Sequence, residues 1–252
     1  MNELNRIRKY LENLRKNSKS KKRFAVLFSG GIDSALLAYT ARGFADAVTI
    51  NGEFTFKYKL NDAVDFSRRH KIRHKIISLE IIDPEIENSP PERCYLCKKK
   101  IISAARSAGY DIIIDGTNLN DLEETRPGIR ALKEEGVIMP LVDLKFGKKQ
   151  IINAMEGIDS EFSKKPHESC IATRIAEGSK ITKGRLERIE SAENFIRSLG
   201  IDTVRVRDYD DTCEVAVKDD DIKKINENLE NITGNLKGLG YGKIITSKMK
   251  SN

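Results

Sequence analysis

An apolar run, Phe24–Phe28, leads directly into Ser-Gly-Gly-Ile-Asp-Ser at residues 29–34, and a segment of helical period follows as far as Gly43. Two adjacent glycines let a backbone turn tightly and approach a ligand closely, and the amide groups at a helix start favour anions. Because no lysine follows the glycines, this is not the loop that holds a γ-phosphate for transfer. The segment predicts a strand, a pyrophosphate-binding loop and a helix; a glycine turn with a polar cap is the alternative.

Short apolar runs and helix-period segments alternate along residues 1–156. The predicted strands are Phe24–Phe28, Ala47–Ile50, His74–Leu79, Asp111–Ile114 and Val137–Leu141. The predicted helices are Leu4–Leu14, Ser34–Gly43, Leu60–His70, Cys94–Ala108 and Gly128–Glu135. Strands that alternate with helices are joined by right-handed crossovers, which produce a parallel sheet covered on both faces. The predicted fold class is therefore α/β, with a doubly wound parallel sheet.

The pattern changes in residues 157–252. After an irregular segment come a helix at Lys183–Leu199, strands at Thr203–Arg207 and Cys213–Lys218, a helix at Asp219–Leu229 and a last strand near Tyr241–Thr246. The pair Asp210-Asp211 between two alternating runs is a hairpin signal. This order predicts a linker followed by a small C-terminal α+β domain.

The chain of 252 residues carries 45 Lys and Arg against 38 Asp and Glu, a formal net charge of +7. Such a charge favours a polyanionic partner or a phosphate-bearing substrate, and a lysine-rich solvated surface explains it equally well. The apolar runs are far shorter than the ~18 residues that a membrane span needs. The basic amino terminus has no apolar stretch of the secretory kind. We expect a cytoplasmic protein that contacts no membrane.

Three cysteines stand in polar surroundings. Cys94 and Cys97 lie three residues apart near a predicted helix start, so both thiols share one face, and Cys170 lies in the irregular segment. Such a set can hold an iron–sulfur cluster with an open iron that carries sulfur, a zinc ion with His167 as fourth ligand, or no shared ligand at all. We rank the cluster first, the zinc ion second and unlinked thiols third; a thioredoxin-like redox pair would need a fold context that the flanking sequence does not supply. Cys213 lies in an alternating strand, which predicts a buried thiol without function.

The loop after the first strand resembles that of the N-type ATP pyrophosphatases, the PP-loop superfamily, which cleave ATP between its α and β phosphates and adenylate a substrate. Asp115-Gly116-Thr117-Asn118 resembles that group's second nucleotide-facing turn. Because parallel sheets bind ligands beyond the carboxyl ends of their strands, both turns can face one ATP. The resemblance implies that the nucleotide is bound by Ser29, Gly30, Gly31, Asp33, Ser34, Gly116 and Thr117. Mg²⁺ is expected at the pyrophosphate, with Asp33 as the first candidate and Asp121 and Glu124 as weaker ones.

Residues 90–99, Pro-Pro-Glu-Arg-Cys-Tyr-Leu-Cys-Lys-Lys, resemble a motif of the LarE-type sulfur transferases, which mature the nickel-pincer cofactor of lactate racemase. Further matches keep their order from about Arg23 to Gly242. Members of that family with three cysteines hold a [4Fe-4S] cluster and pass on a bound sulfide. The resemblance implies that Cys94, Cys97 and Cys170 ligate such a cluster, and that Cys170 is not sacrificed as sulfur donor. After the third cysteine the family writes Arg-x-Pro-Tyr-Gly, whereas this chain has Arg-Ile-Ala-Glu-Gly.

The same resemblance implies an acceptor, pyridinium-3,5-biscarboxylic acid mononucleotide, whose carboxylate is adenylated and then converted to a thiocarboxylate. Arg205 and Arg207, two apart on one strand, could fork onto its phosphate, unless they form an exposed charged face. Arg174 is the next candidate for substrate binding, while Arg126 and Glu193 rest on the resemblance alone. A sulfide donor and a homo-oligomer, dimer or hexamer, are the expected partners.

A tRNA thiolase of the PP-loop superfamily is the main alternative, since related enzymes also combine this loop with three cysteines and a cluster. The aromatic fraction is 6% without tryptophan, which supplies few stacking platforms for RNA, and no RNA-binding module is evident. Nucleic acid is therefore not the expected partner. An amidating synthetase would not need three thiols, and a nucleotide-sensing module leaves them unexplained.

Overall fold

The structure is a computed structural model that describes residues 2–18, 21–123 and 127–249. The chain divides into two compact units. The first consists of Met1–Ile81 and Glu92–Glu168, and the second consists of Ile82–Pro91 and Ser169–Asn252. The first unit thus extends past residue 156, and a short earlier segment belongs to the second unit. No helix in the described ranges is long and apolar enough to cross a membrane.

The first unit is a four-stranded parallel sheet with helices on both faces, which confirms the doubly wound α/β prediction. Its strands are β1 (Phe24–Leu27), β2 (Ala45–Asn51), β3 (His74–Ser78) and β4 (Ile112–Ile114), in the spatial order β3-β2-β1-β4. Its helices are α1 (Glu3–Asn17), α2 (Ile32–Ala41), α3 (Lys57–Arg69), α4 (Arg93–Ser107), α5 (Pro127–Glu134), α6 (Pro140–Asp143) and α7 (Lys148–Glu156).

Alternation along the central strands divides the core between the two faces. Val26 and Ile114 pack in the larger cluster, to which α1, α2 and α7 contribute. Leu27 and Ile113 pack in a second cluster with the apolar residues of α4 and α5. Successive side chains of a strand point to opposite faces, so a strand covered on both sides is apolar throughout. The buried run of β1 follows from this placement.

The predicted strand Val137–Leu141 is wrong. Ile138 forms an isolated parallel bridge with Ile114, and Pro140 then begins α6. Proline lacks the N–H that a continuing ladder needs, and its fixed φ suits the first turn of a helix. The apolar run therefore extends the sheet by one bridge before it turns away.

The second unit is the small α+β module that the sequence predicts. It contains α8 (Lys183–Ser198), β5 (Val204–Tyr209), β6 (Thr212–Val217), α9 (Ile222–Glu227), α10 (Leu229–Gly238) and β7 (Lys243–Lys248). β5 and β6 form an antiparallel hairpin, and β7 pairs with β6 in parallel. Asp210 takes a positive φ of 59° in the hairpin turn. Instead of one helix at Asp219–Leu229, a short 3-10 turn and the two helices α9 and α10 follow β6.

Candidate nucleotide and thiol site

The loop at residues 29–34 is held in shape by its own hydroxyl groups. Ser34 Oγ donates to the Gly31 carbonyl oxygen at 3.0 Å and accepts from the Ser29 amide at 3.3 Å. Gly30 takes φ +77°, and a Cβ at this position would overlap the carbonyl oxygen of Lys59. Gly31 caps α2 without a side chain, so the first amides of that helix remain available to an anion. The loop thus has the form that a pyrophosphate site requires.

The loop lies at the point where the strand order of the sheet reverses. The chain runs from β1 outward through β2 to β3, and then returns to the other side of β1 with β4. In open α/β sheets the ligand crevice lies at this switch point, beyond the carboxyl ends of the strands. The turn at residues 115–118 directly follows β4, so it lies beside the loop that follows β1.

Gly116 shows how closely the turn and the loop meet. A Cβ on Gly116 would lie 2.9 Å from the Ser34 amide nitrogen and 3.1 Å from Ser34 Cα. Such distances are too short for any side chain, so a glycine allows the two backbones to touch. The prediction that both turns face one space therefore has a structural basis in this contact.

Asp115 fixes the conformation of the second turn. Its Oδ1 accepts the Thr117 amide at 2.9 Å and the Thr117 hydroxyl at 2.6 Å, while Oδ2 accepts Lys98 Nζ at 3.1 Å. Burial opposes ionisation of the carboxyl, but Lys98 and Thr117 outweigh it and hold the pKa of Asp115 below its usual value. Burial likewise opposes the charge on the ammonium, yet Asp115 raises the pKa of Lys98, and the nearby Cys97 and Cys94 add to this rise.

Asn118 adds an unsatisfied donor to the same turn. The residue is completely buried, and its Oδ1 accepts the amides of Asn120 and Asp121. Its Nδ2 finds no hydrogen-bond partner in the part of the chain that the structure describes. Because a buried donor without a partner costs about 1–3 kcal/mol, a nucleotide that accepted from it would remove that cost. Sequence reasoning quoted Asn118 but assigned it no role.

The cysteine pair lies in the first turn and a half of α4, as the sequence predicts. Cys94 is exposed and Cys97 is half-buried. With helical spacing, Cys94, Cys97 and Lys98 stand at i, i+3 and i+4 on one face. Lys98, which the sequence reasoning did not single out, therefore shares the face of the thiols and at the same time reaches Asp115 in the turn at residues 115–118. The i+4 spacing from Cys94 was the signal that could have found it.

Cys170 lies in the second unit, at the start of a short 3-10 turn, Ile171–Arg174, and its side chain is exposed. The Thr173 hydroxyl donates to the Cys170 carbonyl oxygen at 2.8 Å. Arg174 Nη1 in turn donates to Ser169 Oγ at 2.8 Å and to Thr173 Oγ1 at 3.0 Å. The side chains of Ser169 and Thr173, on either side of the thiol, are thus tied to one guanidinium group.

Arg174 and Glu193, both predicted to bind substrate, form a completely buried ion pair with exposures of 1% and 0%. Arg174 Nε donates to Glu193 Oε1 at 2.7 Å, and the Val206 amide donates to the same oxygen at 3.0 Å. Arg197 binds the other oxygen at 2.8 Å. These contacts give the pair a part in positioning the Cys170 turn against α8 and β5, and contact with substrate stays a prediction.

Arg205 and Arg207 leave β5 on the same face, as their spacing requires. Arg207 Nη1 donates to Glu214 Oε2 at 3.0 Å, across the hairpin. Arg205 Nε is buried and has no hydrogen-bond partner among the described residues. The unsatisfied nitrogen of Arg205, on the same face as the paired Arg207, is consistent with an anion site. Phosphate binding by the two arginines stays a prediction.

The remaining predicted ligands are placed as follows. Asp33 lies in the first turn of α2, and its Oδ2 is 3.7 Å from His167 Nε2. Asp121 is buried beside Asn118. Arg126 and Glu124 lie outside the described residues. Within the described ranges, no group of three or more His, Cys, Asp or Glu side chains is arranged to hold a metal ion. The Mg²⁺, zinc and cluster sites therefore stay predictions.

Comparison with known proteins gives the family. Residues 19–198 match the profile described as thiamine biosynthesis protein (ThiI), which covers more than half of the chain. The chain belongs to the ThiI family. The α/β fold with its parallel sheet agrees with the PP-loop ATP pyrophosphatase fold.

Three relatives match nearly the whole chain. An uncharacterized protein of Methanocaldococcus jannaschii is 33% identical over 247 residues, which are 96% of this chain and 95% of the relative. An uncharacterized protein of Synechocystis sp. is 31% identical, covering 85% and 83%. Pyridinium-3,5-bisthiocarboxylic acid mononucleotide synthase of Lactiplantibacillus plantarum is 27% identical, covering 88% and 84%. Family and relatives together support the broad class of an ATP-dependent sulfur transferase.

Proposed function

We propose that this protein adenylates a substrate carboxylate with ATP and replaces one of its oxygens by sulfur. The observation that carries the proposal is the double contact of the turn at residues 115–118. Its Gly116 touches the loop at Ser34, and its Asp115 is ion-paired to Lys98 on the helix that bears Cys94 and Cys97. A nucleotide site and a thiol-bearing helix thus share one structural element.

The chemistry explains why both parts are needed. A carboxylate resists attack by sulfide because oxide is a very poor leaving group. Attack of the carboxylate oxygen on the α-phosphorus of ATP forms an acyl adenylate and releases pyrophosphate, which the loop amides and the hydroxyls of Ser29 and Ser34 can bind. Hydrosulfide then attacks the acyl carbon, AMP leaves with the electron pair of the C–O bond, and the resulting thiocarboxylic acid loses its proton to give the thiocarboxylate.

The residues of the loop and the second turn fit ATP. The positive φ of Gly30, the bare cap at Gly31 and the orphaned Asn118 Nδ2 are features that a bound nucleotide would explain. Asp33, in the first turn of α2, is the proposed Mg²⁺ ligand, since a carboxylate oxygen suits that ion. It would hold the ion whose charge offsets the charge that develops on the departing pyrophosphate.

The donor set also suits a [4Fe-4S] cluster, because cysteine thiolates are the ligands of such clusters and Cys94 and Cys97 share a helix face. We propose that these three cysteines hold it, which requires Cys170 to join the other two. When bound, such a cluster supplies an iron with an open position for exogenous sulfide. The chain itself contributes the thiolates and the fixed Cys170 backbone.

For the acceptor we propose pyridinium-3,5-biscarboxylic acid mononucleotide. The support is the name of the Lactiplantibacillus plantarum relative, which makes the bisthiocarboxylic form of this compound. Arg205 and Arg207 are the proposed cations for its phosphate, with Arg126 as a further one. We further propose that the protein is cytoplasmic and forms a homo-oligomer, a dimer or a hexamer. A separate donor supplies the sulfide.

The decisive experiment compares acceptors. Anaerobically purified protein is incubated with Mg-ATP and sulfide, together with either the pyridinium mononucleotide or bulk tRNA, and AMP and thiolated products are quantified by chromatography and mass spectrometry. We expect AMP and thiocarboxylate from the mononucleotide. AMP and thiolated nucleosides with tRNA alone would contradict the proposal and favour the tRNA thiolase, which the net charge of +7 also suits.

A matched set of cysteine variants tests the sulfur site. Replacing Cys94, Cys97 or Cys170 by alanine should abolish product formation. Cys213→Ala should leave product formation intact, because Cys213 is completely buried in the core of the second unit. Iron and zinc are measured on the same preparations. About four irons per chain are expected, and one zinc without iron would contradict the cluster.

A further inference from the structure

We propose that Lys98 is a positioning residue that couples nucleotide binding to the cysteine pair, by linking the turn at residues 115–118 to the face of α4 that carries the thiols. The inference rests on the nucleotide site of the proposed function, and it gives Lys98 a role that neither the sequence motif nor the comparisons assign. It depends on four structural steps, all within the first unit.

The first step is the ion pair itself. Lys98 Nζ lies 3.1 Å from Asp115 Oδ2, and the two side chains are 28% and 9% exposed. The second oxygen of Asp115 is occupied by the amide and hydroxyl of Thr117. The carboxylate is therefore held from both sides, and a shift of the turn must move the ammonium or break a hydrogen bond.

The second step leads from the turn to the loop. Gly116 packs on the backbone of Ser34 with no room for a methyl group. Interiors packed this tightly transmit displacement, since there is no void to absorb it. A phosphate bound at the loop therefore acts on the turn through a backbone contact.

The third step leads from the ammonium to the thiols. Counted from Cys94, Cys97 stands at i+3 and Lys98 at i+4, so both lie on the face of α4 that carries Cys94. A cation that is drawn toward or away from Asp115 changes both the field at these sulfurs and the position of the helix turn that carries them.

The fourth step is the contrast with the two lysines that follow. Lys99 forms an ion pair with Glu135 on the other side of α4, and Lys100 donates to the carbonyl oxygens of Glu80 and Ile81. Successive residues of a helix point about 100° apart, so these three lysines serve three different neighbours. Of the three, Lys98 is the one that contacts the nucleotide turn, and Lys99 is a matched control.

The test is hydrogen–deuterium exchange with and without a non-hydrolysable ATP analogue and Mg²⁺, on the full chain as purified. In the wild type and in Lys99→Met, the analogue should slow exchange both in peptides of residues 29–41 and in peptides of residues 93–101. In Lys98→Met, the loop peptides should still be protected, whereas protection of the α4 peptides should be lost. Lys98→Arg should restore most of it. The dissociation constant of the analogue should rise about three- to tenfold in Lys98→Met, as for the loss of one partly buried ion pair.

The outcomes separate the two proposals. No protection of any wild-type peptide would overturn the nucleotide site and this inference together. Protection of the loop without protection of α4 in the wild type, or unchanged α4 protection in Lys98→Met, would overturn the inference alone. Equal loss in Lys99→Met would do the same, because it would show a general effect of charge. If Lys98→Met fails to fold, Asp115→Asn weakens the same pair from its other side and is scored in the same way.

Discussion

Two ion pairs stand beside the cysteines of this protein, one in each unit, and they differ in kind. The pair Lys98–Asp115 is partly exposed, and its ammonium contacts one oxygen of the carboxylate. The pair Arg174–Glu193 is completely buried, and Glu193 also accepts Arg197 and the Val206 amide. A carboxylate with three donors in a dry site has one arrangement, whereas a partly solvated lysine can move.

The difference matches two tasks, one that the proposed cluster requires and one that the inferred coupling through Lys98 requires. The cysteine on the linker must be kept in place, and the buried network ties Ser169 and Thr173, on either side of Cys170, to α8. The cysteine pair must respond to the nucleotide, and the lysine contact allows this. Buried pairs are costly to break from one side, while exposed ones contribute little.

Breaking the buried pair should have the largest effect. Arg174→Met leaves Glu193 in a dry site with one cation fewer, and we expect the free energy of unfolding of the second unit to fall by about 3–5 kcal/mol. Urea unfolding followed by circular dichroism measures the change. The control is Lys223→Met, which removes an exposed pair with Glu227 whose side chains are 87% and 58% exposed. Equal losses in both variants would show that burial does not distinguish them.

The loop at residues 29–34 should be sensitive to a change in side-chain size at Gly30 that leaves every charge unchanged. Gly30→Ala forces a methyl group onto the carbonyl oxygen of Lys59 at a positive φ. We expect the free energy of unfolding to fall by about 2–4 kcal/mol because of backbone strain and overpacking. We also expect the variant to lose ATP binding, which calorimetry measures. Gly43→Ala is the control, because a Cβ there meets nothing within 4 Å. Retention of full ATP affinity in Gly30→Ala would contradict the close approach.

These two sites also show what the sequence could and could not predict. The loop was predictable because its determinants, a strand, two glycines and a helix start, are contiguous. The prediction of a strand at Val137–Leu141 was wrong because Pro140 begins a helix inside the apolar run. The partnership of Arg174 with Glu193 depends on the packing of α8 against a hairpin, and no spacing in the sequence records it. Both residues were singled out, but for contact with substrate rather than with each other.

Thiol reactivity should distinguish the exposed cysteines from the buried one. Burial, with a smaller effect of Asp208, raises the pKa of Cys213 to about 12, and the residue has no exposed surface. In metal-free, reduced protein near pH 8, iodoacetamide should modify Cys94 and Cys170 and leave Cys213 unmodified until urea unfolds the second unit. Peptide mass spectrometry measures the three rates. Modification of native Cys213 at the rate of Cys94 would contradict its place in the core.

The smallest effect concerns pH and the partly exposed pair. Because the pKa of Asp115 in the folded protein lies below its ordinary value of 3.8, its ionised form stabilises the fold at higher pH. This contribution is fully present above about pH 4 and is lost as the pH falls through the folded value. The difference in unfolding free energy between the wild type and Asp115→Asn should therefore be constant from pH 7 to about pH 4 and shrink below it. If this difference in unfolding free energy stays constant into the acid range, the ionised form of Asp115 is not what stabilises the turn. The side chain would then act through its hydrogen bonds to Thr117 alone, and the charge of Lys98 would contribute nothing.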